Sequence, residues 1–274
     1  MTKSRPSTNV SLEIVARTDP GLLRSVNEDS IATVEELGLL VLSDGMGGYQ
    51  SGDVAANLTT QVMVEGLTRE LQKLGKHGDP AAVIEHIVKA ANKAIYLEGQ
   101  RRAQSAPDGQ PQLMGSTLAL LLFRDNHVIL AHVGDSRIYR LRDGRLELLT
   151  HDHSLLQEQI DLGILSADAA TTSHNRHLVT RGLGLMPDVD VSLDETDTLP
   201  GDIYLLCSDG LNDMVDNDDI ELVLATLQAN LPLAARQLVM IANDNGGEDN
   251  ISVILAKVGS AGRKGGFFAH LFGH

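Results

Sequence analysis

The chain has 274 residues, with 37 acidic against 22 basic side chains and a formal net charge of −15. That balance argues against nucleic acid as the main partner, because phosphate backbones are neutralised by Lys and Arg. Hydrophobic residues make up 42% and aromatic residues only 3%, with no Trp, so the core must be aliphatic. One cysteine, Cys207, excludes an internal disulfide and points to a reducing compartment. Residues 1–9 are polar and flexible rather than a secretory signal, and no run approaches the ~20 apolar residues of a membrane span. The chain reads as soluble and cytoplasmic.

Residues 10–17 alternate apolar and polar side chains, which predicts a strand. A turn at Asp19-Pro20-Gly21 follows, and Arg24, Glu28 and Asp29 place one cation and two carboxylates ahead of a second strand over 30–34. The apolar run 37–42 predicts a buried strand that stops at Asp44 and passes into a turn containing Gly45, Gly47, Gly48 and Gly52. A carboxylate at a strand end, with bare backbone behind it, can offer a side-chain oxygen and a main-chain carbonyl to a hard cation. Helical spacing of Val54, Leu58, Val62, Leu67 and Leu71, then of Val83, Ile87, Ala91 and Ile95, predicts a helix pair over 53–74 and 80–97. The polar stretch 99–114 predicts an exposed loop.

Short strands over 116–123, 127–133, 138–141 and 146–149, joined by tight turns, predict an antiparallel meander. Asp135 follows Gly134 at one of its junctions. Residues 150–187 lack long periodicity and read as a mobile insertion with one short helix near 155–162. Within it, His151-Asp152-His153 reads as a solvated loop, since alternate residues of an exposed segment need a third ligand to hold a metal. A strand over 190–196 precedes the buried strand 203–207, which ends at Ser208-Asp209-Gly210 and repeats the strand, Ser, Asp, Gly order seen at Asp44. Helices over 217–227 and 232–243 lead through Gly246-Gly247-Glu248-Asp249-Asn250 into a strand over 251–258. The tail, 259–274, is rich in Gly and carries Phe267, Phe268 and Phe272, a docking segment expected to pack on the body.

Asp44, Asp135, Asp209 and Asp249 all sit at the ends or starts of apolar strands. Gathered together without cations they would repel and raise one another's pKa values. Hard oxygen ligands with little His and no Cys call for Mg²⁺ or Mn²⁺ rather than Zn²⁺. Other phosphate chemistries fail on the letters. Residues 47–52 have P-loop spacing, but Asp53-Val54 stand where Lys and Ser/Thr are needed, and Gln50 takes the last glycine position of a dinucleotide fingerprint. A tyrosine-phosphatase loop needs Arg six residues after its Cys, where Cys207 is followed by Asp213, so Cys207 reads as a buried strand residue.

The ordered blocks GLLRSVNEDS (21–30), VLSDGMGG (41–48), GSTLALLL (115–122), HVGDSRIYRLRDG (132–144), YLLCSDGL (204–211) and GGEDNISV (246–253) carry a resemblance. On them the chain is similar to the metal-dependent Ser/Thr protein phosphatases of the PPM (PP2C-type) family, in its compact bacterial form, over residues 12–258. The resemblance implies an α+β fold: an αββα sandwich of two antiparallel sheets flanked by helix pairs, one phosphatase domain over 10–258 with 150–187 as a flap. It implies that Asp44 bridges two metals, that the Gly45 carbonyl binds the second, and that Asp209 and Asp249 complete the first. Glu28, Asp29 and Asn250 would support that shell, the first two through metal-bound waters. Asp135 with Asp209 would form a third metal site, and Arg24 would grip the substrate phosphate. Two or three Mn²⁺ or Mg²⁺ ions would then serve in-line attack by a metal-bridging water on phosphoserine or phosphothreonine of proteins. The implied setting is a monomer opposing a eukaryotic-like Ser/Thr kinase in a bacterial cytoplasm. Met46 stands where eukaryotic members have a His proposed as general acid. Two further readings stay open: a catalytically silent phospho-dependent binding module, and a hydrolase of small phosphate esters.

Overall fold

The computed structural model describes residues 11–47, 51–75, 78–105, 114–165 and 178–259. The expectations for residues 1–9, for Gly48, for the middle of the 150–187 segment and for the tail beyond Gly259 fall outside those residues.

Two antiparallel sheets lie face to face. The first joins β1 (Leu12–Asp19), β11 (Ile251–Val258), β10 (Ile203–Cys207), β7 (Arg137–Arg142) and β8 (Arg145–Leu148), in that order. The second joins β2 (Asp29–Val34), β3 (Leu39–Gly47), β5 (Leu118–Arg124), β6 (His127–Val133) and β9 (Ser192–Asp197), with the short β4 (Met114–Ser116) paired to the end of β3. Helices α1 (Ser51–Leu71) and α2 (Pro80–Ser105) cover the second sheet. A short α3 (Leu155–Asp161) and a single turn, α4 (Asp209–Asn212), come next in the chain; α5 (Asn217–Leu227) and α6 (Leu231–Asp244) cover the first sheet.

Period-two alternation makes this a four-layer arrangement. In β3, Leu39 and Val41 face the α1–α2 layer while Leu40 and Leu42 face the other sheet. In β5, Leu118, Leu120 and Leu122 face the helices, and Ala119, Leu121 and Phe123 point between the sheets. Strand β10 repeats the scheme with Ile203, Leu205 and Cys207 towards its helices, and Tyr204 and Leu206 inward. Strands buried on both faces read as unbroken apolar runs, as IYLLC does. Phe123 and Tyr204 meet edge to face across the middle layer, with ring centroids 5.2 Å apart.

Local chemistry sets the boundaries. Asp125 and Asp143 take φ of 50° and 51° at the two hairpin turns, a conformation Asp tolerates better than most residues. The Asp216 side chain accepts from the Asp219 amide at 2.8 Å and starts α5; Asn230 does the same for Leu233 at 3.1 Å before α6.

Several boundaries shift by two or three residues and the strand expected over 116–123 is divided at Thr117, but two differences are larger. Helix α2 runs on to Ser105 instead of ending near 97, its last turns held by Glu98 with Arg101 and Arg102. Strand β3 does not stop at Asp44; it continues to Gly47, changing partner from β5 to β4 on the way. Among the described residues no helix is long and apolar enough to cross a membrane.

Replacing Phe123 by Ala should remove the centre of the middle layer and cost about 3–5 kcal/mol. Urea unfolding would read this as a lower midpoint with an unchanged slope; a loss below about 1 kcal/mol would contradict the packing described.

Candidate functional site

Strand β3 brings Asp44 to the end of the second sheet, opposite Asp29 of β2 in register. Asp135 sits in the β6–β7 connection, Asp209 opens the turn after β10, and Asp249 lies two residues before β11. Of these five strand-end carboxylates, all but Asp29 open on one pocket of about 560 Å³, which Arg24, Glu28, Gly45, Met46, Thr117 and Asn250 also line. The expected residues Arg24, Glu28, Asp44, Gly45, Asp135, Asp209, Asp249 and Asn250 are therefore gathered in one place, while Asp29 lies behind the wall.

The loop between β1 and β2 carries Arg24 and Glu28 and is tied down by Asn250. The Asn250 side-chain amide donates to the carbonyls of Pro20 and Val26, both at 3.0 Å, and its oxygen accepts from the Glu28 amide at 2.7 Å. Gly21 has φ of +75°, and a Cβ there would lie 2.2 Å from the Asp249 carbonyl oxygen, so only Gly lets this turn reach the β11 entry. Arg24 donates to Asp249 Oδ2 at 2.7 Å, an ion pair between half-exposed partners. The Glu28 carboxylate accepts from the main-chain amides of Gly52 and Asp53 at the N-terminus of α1, a favourable place for negative charge. Gly45 and Gly52 touch, with a Cβ on Gly45 falling 2.1 Å from the Gly52 carbonyl oxygen.

Charge is the dominant feature. Burial, followed by repulsion from Asp29 and Asp209, holds the Asp44 carboxyl well above the usual carboxylate range. Burial and then Asp209 do the same to Asp135. Asp29 is pushed up to about 7 by burial, against a hydrogen bond received from Ser208 Oγ at 2.8 Å. Its Oδ1 is sealed from solvent without a hydrogen-bond partner. Among the described residues no three His, Cys, Asp or Glu side chains close on a single point as a finished metal cage; the carboxylates ring the pocket instead.

A side of the pocket is apolar. Leu178, Val179, Leu185, Met46 and Met214 contribute to its lining. The segment 178–185 is pinned by paired main-chain bonds between Ser116 and Leu183, at 3.0 and 2.8 Å, and by the Thr180 amide on the His153 carbonyl at 2.8 Å. The stretch 151–153 is a loop with His151 exposed, as expected, but Asp152 and His153 are partly buried and bonded. Asp152 binds Arg137 with both oxygens, and His151 reaches Asp161. His153 accepts from the Gly134 amide and stacks on His132 at 4.6 Å. Burial lowers His132 to about 4 and His153 to about 3. Cys207, as expected, is buried, its thiol pushed up to about 12 by burial. Sequence reasoning missed Thr117 and the apolar wall; a Thr at the break between two strands and scattered Leu and Met carry no spacing signal.

A family profile described as Protein phosphatase 2C matches residues 24–239. The serine/threonine protein phosphatase PstP of Mycobacterium tuberculosis is 37% identical over 248 residues, covering 90% of this chain and 45% of that protein. The chain thus spans less than half of PstP. It covers 96% of a putative protein phosphatase 2C-type of Streptococcus pyogenes, 31% identical over 89% of this chain. The crystal structure of the PstP catalytic domain in complex with two manganese ions superposes with a TM-score of 0.77 at 36% identity, covering 92% of this chain and 99% of that one.

The raised carboxyls give stability a definite pH slope. Asp29 binds its proton more tightly in the folded chain, so its contribution is full near pH 4 and is lost as pH rises through 7. The lowered His132 and His153 act in the opposite sense, but only below about 6.5. In chelator-treated protein the urea midpoint should therefore fall between pH 6.5 and 8, and fall less steeply in Asp29→Asn. Equal slopes for the two would refute the assignment.

Proposed function

The chain belongs to the protein phosphatase 2C family, and on that premise we propose that it hydrolyses phosphoserine and phosphothreonine esters of proteins with Mn²⁺ or Mg²⁺. As a monomer in a bacterial cytoplasm it would oppose a Ser/Thr kinase. The observation that carries this reading is the gathering of Asp44, Asp135, Asp209 and Asp249 around one pocket with the Arg24 guanidinium at its edge.

The donor set fits hard divalent cations. Every candidate ligand is an oxygen, and burial, followed by crowding from other carboxylates, holds Asp44 and Asp135 above the usual carboxylate range. Asp44, the Gly45 carbonyl, Asp209 and Asp249 would hold two cations, and Asp135 with Asp209 a third. When bound there, divalent cations would supply charge neutralisation of the carboxylates, attraction for phosphate oxygens and a lowered pKa for water.

The chain's own residues set the rest. Arg24 already offers its fork to an anionic oxygen, that of Asp249, and would offer it to a phosphate oxygen. Asn250 holds the Arg24 loop against the strand that follows Asp249, so phosphate grip and cation ligand are positioned by one side chain. Glu28 and Asp29 support the wall from the α1 N-terminus and from Ser208. The Met46 thioether has no proton to give, so the leaving Ser or Thr oxygen would take its proton from another donor. Leu178, Val179 and Leu185 would meet the peptide around the phosphate.

Phosphate release from a phosphothreonine peptide should require Mn²⁺ and fall more than about 100-fold in Asp209→Asn, since even an outer partner of a ligand is typically worth 10–100-fold. Metal-independent release, or an undiminished variant, would overturn the proposal.

A further inference from the structure

Thr117 occupies the one-residue break between β4 and β5, opposite the point where β3 changes partner, and is 1% exposed. It wraps the Asp44 peptide from both sides. Its amide donates to the Asp44 carbonyl at 2.8 Å, and its Oγ1 accepts from the Asp44 amide at 2.9 Å. Its own carbonyl accepts from Ser43 Oγ at 2.7 Å. The same Oγ1 lies 2.7 Å from Ser136 Oγ, and Ser136, fully buried, directly follows Asp135. The methyl group is used too: a Cβ on Gly134, whose φ is +107°, would lie 2.7 Å from Thr117 Cγ2, so the 134–136 turn lies flat against this side chain.

We infer that the Thr117–Ser136 hydroxyl pair is a strap that sets the separation of Asp44 and Asp135, and that Thr117 is a positioning residue for cation binding. The inference rests on the phosphatase reading for what the two carboxylates hold. The physical need is specific. Asp44 and Asp135 repel, and neither backbone segment belongs to the other's sheet ladder, so without a cross-link the pair relaxes apart. Hydroxyls supply a link that is short, uncharged and buried. Oγ1 accepts from the Asp44 amide while one hydroxyl of the pair donates to the other, so no polar atom in the strap is left without a partner. Valine has the shape of Thr but would leave the Asp44 amide and Ser136 Oγ unsatisfied.

The test is calorimetric titration of chelator-stripped protein with MnCl₂, well below the melting temperature. Thr117→Val should weaken Mn²⁺ binding by about 10–100-fold, the range typical of outer partners of metal ligands. Thr117→Ser, which keeps the hydroxyl, should stay within about threefold of wild type, and Ser136→Ala should fall between the two. A purely structural Thr117 would lower the melting temperature and leave affinity in the folded protein unchanged. Binding by folded Thr117→Val within threefold of wild type therefore overturns the inference; should that variant not fold, wild-type affinity in Ser136→Ala overturns it. A wild-type chain that takes up no Mn²⁺ would overturn the phosphatase reading itself, and this inference with it, before any variant is compared.

Discussion

Repulsion among carboxylates at one end of the sandwich is the constraint on which the rest of the structure depends. Asp29, Asp44, Asp135, Asp209 and Asp249 approach one another where water is scarce, and burial with mutual charge pushes Asp29, Asp44 and Asp135 upward. Left to itself such a group would spread. It is kept together because its members sit on or beside the ends of different, well-packed strands, which cannot move apart without opening an apolar layer, while hydrogen bonds between the connections hold the ends in place. The three layers of Leu, Ile and Val thus do more than fold the chain; they hold a charge distribution the chain would otherwise relax.

Close backbone contact completes that frame. Gly45 against Gly52 joins strand β3 to the start of α1, and Gly21 against Asp249 joins the Arg24 loop to β11. In both places a main-chain carbonyl stands where a side chain would be. These glycines serve approach of one backbone to another, with the pocket wall formed as a by-product of contact.

Much of this was legible in the letters, for physical reasons. Unbroken apolar runs in β3, β5 and β10, alternation at the β1 end of the chain, and helical spacing around Val83 and Ile95 reported burial on defined faces and so gave elements, layers and topology class. The echo of Ser43-Asp44-Gly45 in Ser208-Asp209-Gly210 reported two equivalent strand ends. What escaped was of another kind. The continuation of β3 past Asp44 depends on β4, a three-residue strand too short to show a period. The extension of α2 to Ser105 rests on exposed Glu98–Arg pairs in a polar stretch. The bonding of 151–153 comes from residues outside the stretch, Arg137 and Gly134 before it and Asp161 and Thr180 after it. Hydrogen-bond partners fixed by tertiary contact leave no pattern in local sequence, and Thr117 is the clearest case.

Strand β11 lies between β1 and β10, so the last described strand in sequence is an inner strand in space. Arg24 and Asp249, 225 residues apart, meet only after it has entered. Sheets closed by such distant pairings form slowly, because the loop must be closed before the contacts reward it. During synthesis β10 therefore waits with an open edge, and neither Asp249 nor the Asn250 tie exists until residues 249–258 have emerged from the ribosome. Every chain interrupted before that point lacks both, whatever the state of its other strands, so the order of strands along the chain acts as a check on completeness.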